Sequence, residues 1–253
     1  MTTSLGSHHR TPWALGWEAA RANLAPALLI QMLMLALLAG YYFSPAVAGL
    51  LNELAAYKIR HGLVFVVLAA IAAGALVPEL FLILFFQRGR PQRRNLRNLL
   101  FTVPIWALDG TLVDILYRGE ATLLGNVVTL PVVLGKICID QFGYNPFFAA
   151  PFGVLTYEWK NTGFRLESLV RGFTWEHYRD KIVPTLLATW AVWIPLMAII
   201  YSLPLALQFP LFSLALTFWV LLLTYMTNSF ALKHALAARL AGVVSPAILR
   251  ANP

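Results

Sequence analysis

Apolar runs of spanning length alternate with short polar links along most of this chain. The first run, 24–43, has about 20 residues, enough to cross a hydrocarbon core as a helix. Residues 44–62 form a polar connector with Pro45, Glu53, Lys58 and Arg60. In the second run, 63–86, the small residues of Ala69-Ala70-Ile71-Ala72-Ala73-Gly74-Ala75 let a neighbouring helix approach closely. Pro78-Glu79 interrupts that run. Pro78 is expected to kink the helix and free a carbonyl, and Glu79 to face protein or water. A third run, 98–116, holds Pro104, Asp109 and Asp114; a fourth, 121–142, ends in Lys136, Asp140 and Gln141. Gly143 reads as a helix C-terminal cap and Asn145-Pro146 as a fresh helix start. The helix 146–157 is then too short to span and is expected to be re-entrant or interfacial, although it could share one crossing with the fourth run. Residues 182–203 and 209–226 are two further spans.

The polar segments suggest an orientation. Five arginines in 87–97 mark the cytoplasmic side, or the matrix side in a mitochondrion. If 146–157 does not cross, then 1–23, 87–97, 158–181 and the C-terminal segment with Lys233, His234, Arg239 and Arg250 share that side, which collects most basic residues. If it crosses alone, the C-terminal half inverts and the charge rule is broken. Trp13 and Trp17 look like interfacial anchors, and Trp159 and Trp175 suggest a surface-lying amphipathic helix over 158–181. The expected fold is all-α: a polytopic transmembrane helical bundle of about six spans plus the short re-entrant or interfacial helix. It divides into 1–62, an extension with an interfacial segment and one extra transmembrane helix, and 63–253, the main helical domain. Ala46-Val47-Ala48 resembles a signal-peptidase site, but the preceding run has span length rather than signal length.

Composition agrees and narrows the chemistry. The chain is 59% hydrophobic and 12% charged, against about 25% charged in soluble domains. The long continuous runs exclude a transmembrane barrel, whose strands alternate. The net charge of +8 follows from the basic links between spans, so no nucleic-acid partner is implied. The single cysteine, Cys138, excludes an internal disulfide and a cysteine-cluster metal site. No zinc-protease, nucleophile-elbow or phosphate-loop motif occurs, and His8-His9 is a weak metal candidate. Glu176-His177 could serve as an acid–base pair, but neighbours in a helix point apart. Neither catalysis nor a cofactor is expected.

Lys136, Asp140 and Gln141 are the chemistry to explain. Lys136 and Asp140 are four apart, so on an α-helix they share a face. Charges at membrane depth face a protein interior or a water-filled cavity. The pair could line a solute path, with Gln141, Glu79 and Asp109 as further contributors, or could hold helices together.

From about residue 65 onward the chain resembles the family of the 22-kDa peroxisomal membrane protein and its mitochondrial inner-membrane relatives, the Mpv-seventeen group. The resemblance rests on Lys136-x-x-x-Asp140-Gln141 followed by Pro146 and Phe148, then Trp175, Trp190, Trp193, Pro195, Leu203-Pro204 and Tyr225, in order. It departs from the family's pattern at three places. Only Gly74 and Glu79 stand near the family's early Gly-Asp, Pro104 alone remains of its Gly-Pro and Trp-Tyr motif, and Gln208 lies near the position of an expected arginine. The resemblance implies a divergent, bacterial member: a small integral membrane protein for which channel-like or metabolite-transport roles have been proposed.

Two functions are therefore expected. One is a channel or facilitator for small solutes with a polar interior around Lys136 and Asp140. The other is a non-catalytic scaffold whose intramembrane charges fix helix packing and whose basic face binds anionic lipid or a partner. The partner in either case is the lipid bilayer, and homo-oligomers stay open. A bacterial inner membrane is the expected location, with a mitochondrial inner membrane as the alternative.

Overall fold

Gly62 bends one of the long helices and Gly125 ends another. Both have positive φ, 51° and 81°, which residues with a Cβ rarely adopt. A computed structural model describes residues 21–240 except 126 and 128, without the side chains of 168, 171, 202, 205 and 227–240. It contains α1 (Leu24–Phe43), α2 (Pro45–Phe86, bent at Gly62), α3 (Arg93–Leu124), α4 (130–161), a short α5 (Leu166–Gly172), α6 (Trp175–Tyr201) and α7 (Leu205–Leu240). No strand occurs among the described residues. Four of these helices, with 206–226 of α7, are long and apolar enough to cross a membrane: α1, α2, α3 and α6. At about 1.5 Å per residue, α4 is roughly 45 Å long; Lys136, Asp140, Gln141 and Asn145 make it more polar than the other five. The protein is a multi-pass membrane protein built as an all-α bundle of about six long helices.

Helix starts and stops follow local chemistry. Ser44 caps α2 by accepting the Val47 N–H, with Pro45 at the first helical position. Asn95 Oδ1 accepts the Gln92 N–H at 2.5 Å in a capping box that opens α3. Leu203-Pro204 separates α6 from α7, and Gln208 Nε2 donates to Leu203 O at 2.9 Å across the break.

The expected end at Gly143 and fresh start at Asn145-Pro146 do not occur. α3 runs on to Leu124, Gly125 makes the turn, and α4 begins at Leu130 with Pro131 in its first turn. It then passes through Gly143 and Pro146 as a π-helical segment, Ile139–Ala149, so 146–157 is the second half of one helix rather than a re-entrant piece. The surface-lying helix expected over 158–181 is likewise replaced by α5 and the opening turns of α6. Trp13, Trp17, His8, His9 and Arg250 lie outside the described residues, as do the side chains of Lys233, His234 and Arg239.

Proline explains why α4 can continue. A proline has no N–H to give, and three of the four π segments end two residues before one: Leu76 before Pro78, Ala149 before Pro151, and Ile182 before Pro184. In α2 the Val77 N–H reaches back five residues to Ala72 O, and the donor that would continue this register to Ala73 O is the one Pro78 lacks. Thr217 of α7 supplies it, donating its hydroxyl to Ala73 O at 2.9 Å. In α4 the same spacing leaves Gln141 O facing Pro146 and Pro146 O facing Pro151. Trp190 Nε1 donates to the first at 2.7 Å, and the Tyr178 hydroxyl to the second at 3.0 Å, both from α6. Each proline thus converts an internal backbone bond into a bond between helices.

Close approach of α2 and α3 uses the small residues of the second run. A Cβ on Gly74 would overlap the Trp106 ring, and one on Gly110 would stand 2.6 Å from the Ala70 Cβ. Trp106 joins Tyr157, Trp193, Trp219 and Met226 in the main core. The 45–61 part of α2 covers one end of the bundle, with Leu51 packed on Ile200, Leu207 and Leu211.

Thr217→Val is expected to lower unfolding stability by about 1 kcal/mol, within the range for membrane interhelical bonds. In a Pro78→Ala background the loss should shrink, because residue 78 regains a donor for the Ala73 carbonyl. A double-mutant cycle on reversible unfolding in detergent or bicelles measures the difference; equal losses in both backgrounds would refute the account.

Candidate functional site

Four helices leave a polar cavity of about 120 Å³ between them. α3 contributes Trp106, Asp109 and Tyr117; α4 contributes Asp140, Gln141, Tyr144 and Tyr157; α6 contributes Thr185, Thr189 and Trp193; α7 contributes Phe212 and Trp219. Measured along α3 from Trp106 to Tyr117, the lining extends roughly 16 Å at the usual helical rise. A cavity of about 150 Å³ holds benzene, so this one fits a ligand of only a few heavy atoms.

Its polar groups are arranged in a chain. Gln141 Nε2 donates to Asp140 Oδ2 at 3.0 Å, and Asn145 Nδ2 donates to Gln141 Oε1 at 3.2 Å. Gln141 and Asn145 are both buried, at 3% and 6% exposure. The Thr185 and Thr189 hydroxyls donate to carbonyls one turn back in their own helix, at 2.9 and 2.8 Å, so only their lone pairs remain for the cavity. Asp109 enters from α3 with no hydrogen bond or ion pair among the described residues.

Two of the lining residues bond to each other: Trp106 Nε1 donates to the Tyr157 hydroxyl at 3.2 Å. Tyr157 also lines a second, smaller cavity of about 50 Å³ on its other side, with Glu79, Asn98, Thr102, Lys160 and Thr224. There Glu79 accepts Asn95 Nδ2 at 2.5 Å and Asn98 Nδ2 at 3.4 Å. Lys160 lies within electrostatic reach of Glu79 and over the rings of Tyr157 and Phe101, at 5.0 and 5.8 Å from their centroids.

The five expected site residues therefore separate. Asp109, Asp140 and Gln141 meet in the main cavity, and Glu79 lines the second. Lys136 lines neither, and among the described residues no ion pair joins it to Asp140. Its acidic neighbour is Glu120 of α3, only 2% exposed and also within reach of Asp140. Four-residue spacing puts two side chains on one face only in a uniform α-helix, and the π register begins at Ile139. Cys138 is exposed.

The remaining marked positions serve packing. Trp190 and Pro146 belong to the carbonyl exchange described above. Phe148 lies between Tyr144 and Phe152, with centroids 5.3 and 5.5 Å away. Trp193 packs 5.3 Å from Phe212, Pro195 is exposed, Pro204 sits at the α6–α7 break, and Trp175 is 72% exposed and stacked on Tyr178. His177 pairs with Glu158 at 3.1 Å rather than with exposed Glu176, and Lys181 bonds the other Glu158 oxygen. Trp106, Tyr157, Glu120 and Lys160 were not singled out as site residues by the sequence reading, and Asn145 was read only as a helix cap. The one available signal was Tyr157 and Lys160 at i and i+3 on the inner end of α4.

No family model, curated protein or solved structure matches the chain.

Lys136 and Asp140 form no ion pair but both lie within reach of Glu120, so in a Glu120→Gln background the substitutions Lys136→Ala and Asp140→Ala should be additive in stability within about 0.5 kcal/mol. A coupling well above that in a double-mutant cycle would mean that the two side chains pair after all. Asn95→Ala, which removes the closest donor of buried Glu79, should cost about 1–3 kcal/mol by the same unfolding assay.

Proposed function

We propose that this protein is a channel or facilitator for small solutes, and that the two cavities flanking Tyr157 are its path. The observation that carries this reading is that they share Tyr157. A carboxylate- and amide-lined chamber and a smaller chamber with Glu79 and Lys160 share one wall residue inside a lipid-embedded bundle. Unpaired polar surface at membrane depth is costly and marks substrate pathways more often than it supports a fold. In this reading the Trp106–Tyr157 contact is the constriction, and the arginine-rich 87–97 link faces the cytoplasm or its equivalent. We also propose kinship with the Mpv-seventeen group as a divergent member, on the residues of its Lys-Asp-Gln run.

The scaffold reading has its own support at Glu79. That carboxylate accepts from two asparagines of α3 at Oε1 and lies near Lys160 of α4, so it ties three helices together. Glu79 is thus a packing residue under either function, and the choice turns on the main chamber.

Purified protein in liposomes tests the reading. Wild-type vesicles should release small polar solutes of a few heavy atoms and retain larger ones. Trp106→Ala, which removes the constriction, should raise the flux about tenfold, the change expected from lowering a barrier by about 1.4 kcal/mol. Lys136→Ala should leave it unchanged. A folded protein with no flux over a broad panel of ions and small metabolites would sink the channel and leave the scaffold.

A further inference from the structure

The chemistry of the main cavity identifies a class of ligand. Several of its donors are already committed: the Gln141 amide to Asp140, the Asn145 amide to Gln141, and the two threonine hydroxyls to their own helix; the Tyr144 hydroxyl, also in the lining, makes no hydrogen bond among the described residues. What lines the space is two carboxylates, Asp109 and Asp140, spare lone pairs, the neutral Tyr144 hydroxyl, and the rings of Trp106, Trp193 and Trp219. No lysine, arginine or histidine lines it. Asp109 has no partner among the described residues, although it lies in the middle of the α3 span. A half-buried carboxylate at membrane depth without a counter-charge is expensive, and a cation bound beside it would repay that cost.

We propose that the cavity is a site for a small organic ammonium ion, held by Asp109 and Asp140 and by the faces of the surrounding tryptophans. Tryptophan is the strongest ring partner for a cation, and the attraction grows when water is excluded. Neutral solutes gain little from this lining and anions are repelled by it. A hard metal ion needs about six oxygen ligands, whereas aromatic rings fill much of this wall. No group of three or more His, Cys, Asp or Glu placed to hold a metal occurs among the described residues. The volume limits the ligand to about the size of tetramethylammonium or ethylammonium, given that about 150 Å³ holds benzene.

The proposal deepens the channel reading by naming the solute class, and it rests on the same chamber. Binding tests it separately from transport. Equilibrium dialysis of radiolabelled tetramethylammonium against the purified, detergent-solubilised protein should show one saturable site. Ethylammonium should compete; tert-butanol, a neutral molecule of the same size, acetate and potassium should not. Asp109→Asn should weaken binding about tenfold or more, the scale of a desolvated cation interaction, while Lys136→Ala leaves it unchanged.

Absence of saturable binding to the wild type would overturn the proposal, as would equal competition by tert-butanol or by potassium. An unchanged affinity in folded Asp109→Asn would do the same. The wild-type competition series decides the matter even if that variant fails to fold. Binding with no liposome flux would sink the transport reading and leave the ammonium site. Flux of neutral solutes with no ammonium binding would sink this inference and leave the channel.

Discussion

Three hydrogen bonds from side chains to proline-freed carbonyls govern much of this bundle. Between membrane helices there is no hydrophobic force to exploit, because lipid is as apolar as leucine, so packing and interhelical hydrogen bonds must hold the helices together. A backbone carbonyl is a good acceptor that every residue carries, and it is normally committed within its own helix. Placing a proline five residues later in a π register releases it. Thr217, Trp190 and Tyr178 then bind the released carbonyls from neighbouring helices. The polarity that would otherwise be a defect becomes the specific contact that sets which helices touch and in what register.

The cavity follows from the same device. Trp190 and Tyr178 hold α4 against α6 through its backbone, so the side chains of Asp140, Gln141 and Asn145 need not make that contact themselves. They are free to form their own short chain beside the cavity. On the opposite wall, Gly74 and Gly110 let α2 and α3 approach closely enough to press Trp106 against Tyr157. Close packing on one flank and backbone bonding on the other leave the space between α3, α4, α6 and α7 unfilled.

Much of the span pattern could be read from the chain, because it depends on local chemistry. The breaks at Ser44-Pro45, Gly62 and Leu203-Pro204, the small-residue face of α2, and the carbonyl freed by Pro78 all lie where residue type alone requires them. The choice between Gly125 and Gly143 as the end of a helix was not legible. Both glycines sit within apolar stretches, and what lets α4 run through Gly143 and Pro146 is Trp190, 49 residues away. The meeting of Asp109 with Asp140 was not legible, since nothing local fixes the angle between α3 and α4. The Lys136–Asp140 relation was misjudged for a more specific reason. Four-residue spacing assumes one helical pitch, and the pitch changes at Ile139, between them.

The contact between Trp106 and Tyr157 has a further consequence, for protons. Water-filled cavities in a membrane tend to form continuous hydrogen-bonded wires along which protons hop, and such wires dissipate a transmembrane gradient. The indole Nε1 has one hydrogen and no lone pair, and Trp106 gives that hydrogen to Tyr157. A hop needs each member to accept as well as donate, so relay through the indole is broken at this residue. Any proton passing between the chambers must therefore go by Tyr157, which lines both, and not by Trp106.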